Sequence, residues 1–159
     1  MERSRTSLSQ GSPSHFDDSP PPPGESPDQL ARRVLFSEQL EEKLRPLPLL
    51  EGGPEPHPPC DLKGKTLQPS RPPHLRFARP GEARPALPSR PGLVDEMNRG
   101  VLLHFFANHE LLAAELMALA LLKFPEAPAA FRQGLAETLR EEQRHTRWYL
   151  ARMKECGVE

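Results

Sequence analysis

The sequence predicts an all-α protein, a pair of long antiparallel helices preceded by a proline-rich arm that holds one short helix. Three observations predict it. Of the 21 prolines, 19 precede position 92, and none falls within 92–124 or 129–159. Proline removes a backbone donor and clashes with the preceding turn, so long helices belong only to the proline-free stretches. Within those stretches apolar residues recur at steps of three, four and seven, and no alternating strand pattern competes with them.

Residues 1–25 are rich in Ser, Pro and Gly, include Pro20-Pro21-Pro22-Pro23, and read as a disordered tail. Order is expected to begin at Ser26-Pro27-Asp28-Gln29, where a Ser N-cap, a proline in the first turn and a Gln three residues on make a capping box. Leu30, Val34, Leu35, Leu40 and Leu44 then form an incomplete stripe, with Glu38, Glu41, Glu42 and Lys43 crowding the other side. This predicts one surface helix over 27–44 that docks on something, and a short-helix-plus-arm region over 26–91. Residues 45–91 hold 13 prolines and no sustained period, which makes them an extended arm. In that arm, Leu75 and Phe77 of Arg71-Pro72-Pro73-His74-Leu75-Arg76-Phe77 are expected to pack on the helices.

The first long helix is expected over Leu93–Phe124, stopped by Pro125, and the second over about 128–155, stopped by Gly157 in the left-handed position. The short link between them predicts antiparallel neighbours. Two helices bury one shared stripe but not a full core, and a domain this small is marginal without a partner, a metal or a disulfide.

Composition excludes several functions. A formal net charge of −1 gives no electrostatic case for nucleic acid or an anionic membrane. Cys60 and Cys156 are the only cysteines, which argues against a disulfide framework and for a cytoplasmic location. The N-terminus lacks the apolar core of a secretory signal. His104, Asn108, His109, Glu110 and Glu115 interrupt the first long helix, which makes it too polar for a membrane span.

Three residues stand out. Glu142 and His145 sit three apart, on one helical face and one turn apart. Glu110 is surrounded at helical steps by Leu103, Phe106, Ala107, Ala113, Ala114, Met117 and Leu121, all apolar. A carboxylate within such a stripe must be protonated, paired or bound to a metal. Glu115, among Leu111, Leu112, Ala118, Leu119 and Leu122, competes with it for the inward position. On the second helix Phe131, Leu135, Leu139, Glu142, Thr146, Tyr149 and Met153 are expected to face inward, and Glu141 to face solvent. Carboxylates with an imidazole and no thiolate suit iron, with manganese the alternative ion.

His109-Glu110-Leu111-Leu112-Ala113-Ala114-Glu115 and Glu142-Gln143-Arg144-His145, 32 residues apart from Glu110 to Glu142, resemble the paired motifs of bacterioferritin-like and rubrerythrin-like proteins. The stretch from Arg90 to Glu159, with the arm from Ala31-Arg32-Arg33-Val34-Leu35 to Arg71-Pro72-Pro73, is similar to a bacterial family of uncharacterised ferritin-like proteins. The resemblance implies a ferritin-like four-helix bundle, of which 92–159 is the first half of a truncated domain. It implies Glu110 as a terminal metal ligand, Glu142 as a bridging carboxylate and His145 as the nitrogen ligand of a di-iron centre. The second Glu and second Glu-x-x-His would come from a missing C-terminal half or from a second copy in a homodimer. The function implied is a di-iron oxidase, hydroxylase or iron-oxidising centre. The alternative is a non-enzymatic module that docks a partner through Phe105, Phe106, Leu116, Met117 and Leu121.

Overall fold

The computed structural model describes residues 24–50, 68–82 and 86–158 of the chain. Residues 1–23 of the expected tail, Cys60 and the arm segments 51–67 and 83–85 lie outside the described residues. Four α-helices are present among the described residues: α1 (Pro27–Phe36), α2 (Leu40–Leu44), α3 (Glu96–Lys123) and α4 (Ala129–Glu155). Short 3-10 turns at Pro73–Leu75 and Pro91–Val94 punctuate the arm. The fold class is all-α, as the sequence predicts.

The start of α1 follows the expected capping box. The Ser26 hydroxyl accepts from the Gln29 amide at 3.3 Å, and the Gln29 side chain accepts from the Ser26 amide at 2.9 Å. The expected continuous surface helix over 27–44 does not form. At Ser37 the backbone turns extended, and its hydroxyl bonds both the amide and the carbonyl of Gln39, which gives the chain a local alternative to the next helical turn. The first part of that stretch, α1, docks on the long helices as expected, and more deeply than a surface element would. Leu30, Ala31, Val34 and Leu35 are buried in one cluster with Ala114, Ala118, Leu121, Ala136 and Leu139 of the long helices. Each large aliphatic among them contributes about 1.5–3 kcal/mol. Lys43, expected on a solvated face, is fully buried.

The helix α3 starts three residues later than its apolar pattern suggests, because Asp95 caps it by accepting from the Asn98 amide at 3.0 Å. At its other end the guanidinium of Arg132, from the first turn of α4, donates to the carbonyls of Leu121 (2.7 Å) and Phe124 (2.9 Å). These belong to the last-turn carbonyls that a helix leaves without intrahelical donors. The same guanidinium reaches Asp28 of α1 at 2.8 Å. Helix α4 closes with Gly157 at φ 73°, where the Val158 amide reaches the Met153 carbonyl and the Gly157 amide that of Lys154. That is a Schellman ending, and glycine suits its left-handed residue.

Contacts between α3 and α4 run along both helices. Glu96 meets Arg152 at 3.2 Å, Phe106 stacks on Tyr149 with ring centroids 5.9 Å apart, and Leu121 meets Arg132. By length and composition α3 would pass as a membrane span, contrary to the expectation drawn from its polar residues. In this fold its Ala107, Leu111, Ala114, Ala118, Leu121 and Leu122 are buried.

Candidate metal centre

The inward faces of both long helices are rotated from those the apolar pattern suggests. On α3 the buried line is Ala107, Leu111, Ala114, Ala118 and Leu121, and Phe106 is exposed. On α4 it is Arg132, Ala136, Leu139, Gln143, Thr146 and Met153, so Leu139, Thr146 and Met153 face inward as expected while Phe131 is 59 % exposed. A helix advances 100° per residue, so a stripe centred one residue off moves every flank position to the rim. Glu110 and Glu142 occupy that rim, half-buried, rather than the middle of the core.

The rim brings the three expected residues together. One ligand atom from each of Glu110, Glu142 and His145 can be chosen so that all three lie within 4.8 Å of one another. His145 Nδ1 lies 3.1 Å from Glu142 Oε2, the one-turn spacing of the Glu-x-x-His pair. The two carboxyls shift each other in opposite directions. Glu110 is held above its ordinary carboxyl value, first by donating a hydrogen bond to Glu142, then by burial and by the Glu142 charge. Glu142 is held below its ordinary value by accepting that bond and by His145 beside it. Two oxygen donors and one nitrogen donor at this spacing fit iron or manganese. Glu141 is exposed, as expected.

The fully buried carboxylate is Glu115, the competitor. Its two oxygens accept from Lys43 Nζ at 3.0 Å and from Arg71 Nε at 3.0 and 3.1 Å, with Arg71 Nη2 at 2.5 Å. Only 0 % of the Lys43 side chain, 4 % of Arg71 and 2 % of Glu115 are exposed. Arg71 also donates to the Leu75 carbonyl and to Asn108 Oδ1, and its guanidinium lies 4.2 Å from the Phe77 ring centre. Arg71 is therefore what fastens the arm to α3, whereas Phe77 is exposed and serves mainly as a lid on the guanidinium. Burial pushes the Lys43 ammonium below its ordinary value, against the pull of Glu115. No local signal identifies this cluster, because its partners lie 44 and 72 residues away along the chain. The bias of Arg71-Pro72-Pro73 toward an extended arm was visible, but not its target.

Beside the Glu110–Glu142–His145 cluster the helix pair presents apolar side chains to solvent. Phe106 of α3, Phe124 just past its end, and Phe131 and Trp148 of α4 are all exposed. The cluster thus sits on a face that nothing described covers.

Comparison with curated proteins and with solved structures returned no match. One family model does match, over residues 28–159, from the first turn of α1 through α3 and α4 to the chain end. That span includes every residue of the acidic cluster and of the buried Lys43–Glu115–Arg71 network, and the chain belongs to the family described as Protein of unknown function (DUF455).

Proposed function

We propose that this chain carries half of a ferritin-like di-iron carboxylate centre, held by Glu110, Glu142 and His145. The observation that carries the reading is the convergence of two carboxylates and one imidazole from two facing helices. The contacts Glu96–Arg152 at one end and Leu121–Arg132 at the other support an antiparallel pair, which would be half of an up-down four-helix bundle. The uncovered apolar face beside the cluster supports the same reading, since it is where two further helices would pack. A second Glu and a second Glu-x-x-His would come from those helices, supplied by a second copy or by further chain.

In this reading Glu110, Glu142 and His145 would hold the metal in their deprotonated forms, His145 through a ring nitrogen one turn along α4. Iron bound there would supply activation of dioxygen or peroxide for oxidation, hydroxylation or ferrous-iron oxidation. The test is iron per chain after anaerobic reconstitution. About one iron per chain, lost in the Glu142→Ala, His145→Ala double variant, is the outcome expected of paired half-sites. Iron that stays bound in the double variant overturns the assignment.

The uncovered face also favours a second reading, a non-enzymatic module that docks a helical partner. Leu121 is buried, Met117 packs on the core, and Phe105 and Leu116 lie well round the helix from Glu110, so of the expected docking residues Phe106 remains on this face, joined by Phe124. Here Phe106→Asp disrupts assembly, and the Glu142→Ala, His145→Ala variant leaves it intact.

A further inference from the structure

A cavity of about 560 Å³ lies between the arm and the α3 face that carries Val101, His104, Asn108 and Leu112. Glu110 is two residues from both Asn108 and Leu112, which places it on the opposite side of the helix, so this is a separate site. The walls are mainly apolar and aromatic, with Leu75 and Phe77 from the arm and Phe105 from α3, whose ring lies 4.3 Å from that of His109. A second hollow of about 340 Å³ shares Arg71, Arg76 and Phe77 with the first and adds Arg79. A volume of this size suits a small organic ligand, for which the usual range is roughly 300–1,000 Å³.

The charge on these walls has one sign. Arg71, Arg76, Arg79, His104 and His109 line the two hollows, and no carboxylate does so among the described residues. Behind the walls, Glu115 serves both Arg71 and Lys43, and Glu82 pairs with Arg76 while also accepting from the Arg79 amide. Four cationic side chains thus face two carboxylates. Arg71 has five N–H donors. Glu115 takes one from Nε and one from Nη2, and the Leu75 carbonyl and Asn108 take the two of Nη1. One Nη2 donor is left without a partner among the described residues, on a guanidinium that lines the cavity and is almost wholly buried. A buried cationic donor is costly unless something accepts from it.

We propose that this cavity binds a small organic anion with a flat apolar body. The rings of Phe77, Phe105 and His109, with Val101 and Leu112, take the body. The guanidinium groups of Arg71, Arg76 and Arg79 take a carboxylate or phosphate, for which their planar donor forks are suited. Arg71 is held in place by Glu115 before the ligand arrives, so little side-chain order is lost on binding.

The test uses the full chain and three probes of one shape, 2-naphthoate, 2-naphthyl phosphate and uncharged 2-naphthamide, followed by titration calorimetry. The expected result is one anion bound per chain, at least ~10-fold tighter than the amide, as a charge-assisted bond predicts. Whichever of naphthoate and naphthyl phosphate binds better identifies the anionic group. Val101→Trp fills the cavity and should abolish binding, and Arg79→Glu, at the exposed mouth, should weaken it ~10-fold. Phe131→Asp, on the uncovered apolar face, should leave it unchanged. Circular dichroism checks that each variant is folded. The proposal is overturned if the folded chain binds neither anion, if the amide binds as tightly, or if Phe131→Asp rather than Val101→Trp abolishes the signal.

Discussion

Replacing Glu115 with Gln keeps the shape of the side chain and removes the one negative charge between two buried cations. Arg71 then loses the carboxylate that accepts from its Nε and Nη2, and Lys43 Nζ loses its partner at 3.0 Å. Breaking a buried ion pair from one side costs about 3–5 kcal/mol. Lys43 limits that cost, because burial already holds its ammonium below the ordinary value of 10.5 and it can shed its proton. Arg71 has no such outlet. The expected loss is therefore at the lower end, about 3 kcal/mol, or a urea midpoint lower by about 1–3 M for a chain of this size. A pH dependence should accompany it. With its folded value depressed, Lys43 binds fewer protons in the native state than in the unfolded state. Stability then rises with pH between the depressed value and 10.5. Without Glu115 the depression deepens, so the Glu115→Gln variant should recover stability from pH 7 to 9.5 more steeply than the parent. Lys43→Met in the same background should remove the extra slope. Urea titrations followed by circular dichroism at the two pH values read both quantities. An unchanged midpoint at pH 7, or an extra slope that survives Lys43→Met, would refute the argument.

Other outcomes follow from packing and charge. Gly100→Ala drives a Cβ into Val158 Cγ2 and to 3.1 Å from Cys156 Cβ, and should cost about 1–3 kcal/mol by overpacking. Gly134→Ala meets nothing within 4 Å on an exposed helical face and should stabilise by about 0.5–1 kcal/mol, read by the same urea titration. Glu110→Gln removes a carboxyl that its hydrogen bond to Glu142, burial and the Glu142 charge hold above its ordinary value. It should raise metal-free stability at pH 7 by no more than about 1 kcal/mol at this half-exposed rim and, on the proposed reading, abolish iron binding. Arg132→Leu takes the guanidinium away from Asp28 and from the Leu121 and Phe124 carbonyls, and should lower stability by about 3 kcal/mol, measured as a fall in thermal midpoint.

The parts legible in the sequence are those set by local chemistry. Ser26 and Gln29 announce the start of α1, Pro125 the end of α3, and Gly157 the left-handed stop of α4. Which three side chains would meet at the rim was also legible, because helical spacing alone aligns Glu142 with His145. The depth of the cluster was not. Apolar stripes on α3 and α4 are broad enough to be centred on either of two adjacent lines, and the neighbour that chooses between them is α1. That helix reads as a surface element because Glu38, Glu41 and Glu42 hide the short run Leu30, Ala31, Val34 and Leu35. Burial of Lys43 and Glu115 follows from the same distant packing. A charge run suggests solvent until a partner carboxylate 72 residues away is brought against it.

The Arg132 guanidinium has a kinetic consequence. Its bonds to Phe124 and Leu121 span 8 and 11 residues, whereas its bond to Asp28 spans 104. Loop-closure entropy grows with span, so the two near bonds can form as soon as the turn between α3 and α4 closes. The distant bond must wait until α1 is carried back across the length of the arm. One side chain is thus an early contact at two of its atoms' partners and a late one at the third. Truncating Asp28 should then speed unfolding more than it slows folding, and a change at the Leu121–Phe124 end should do the reverse.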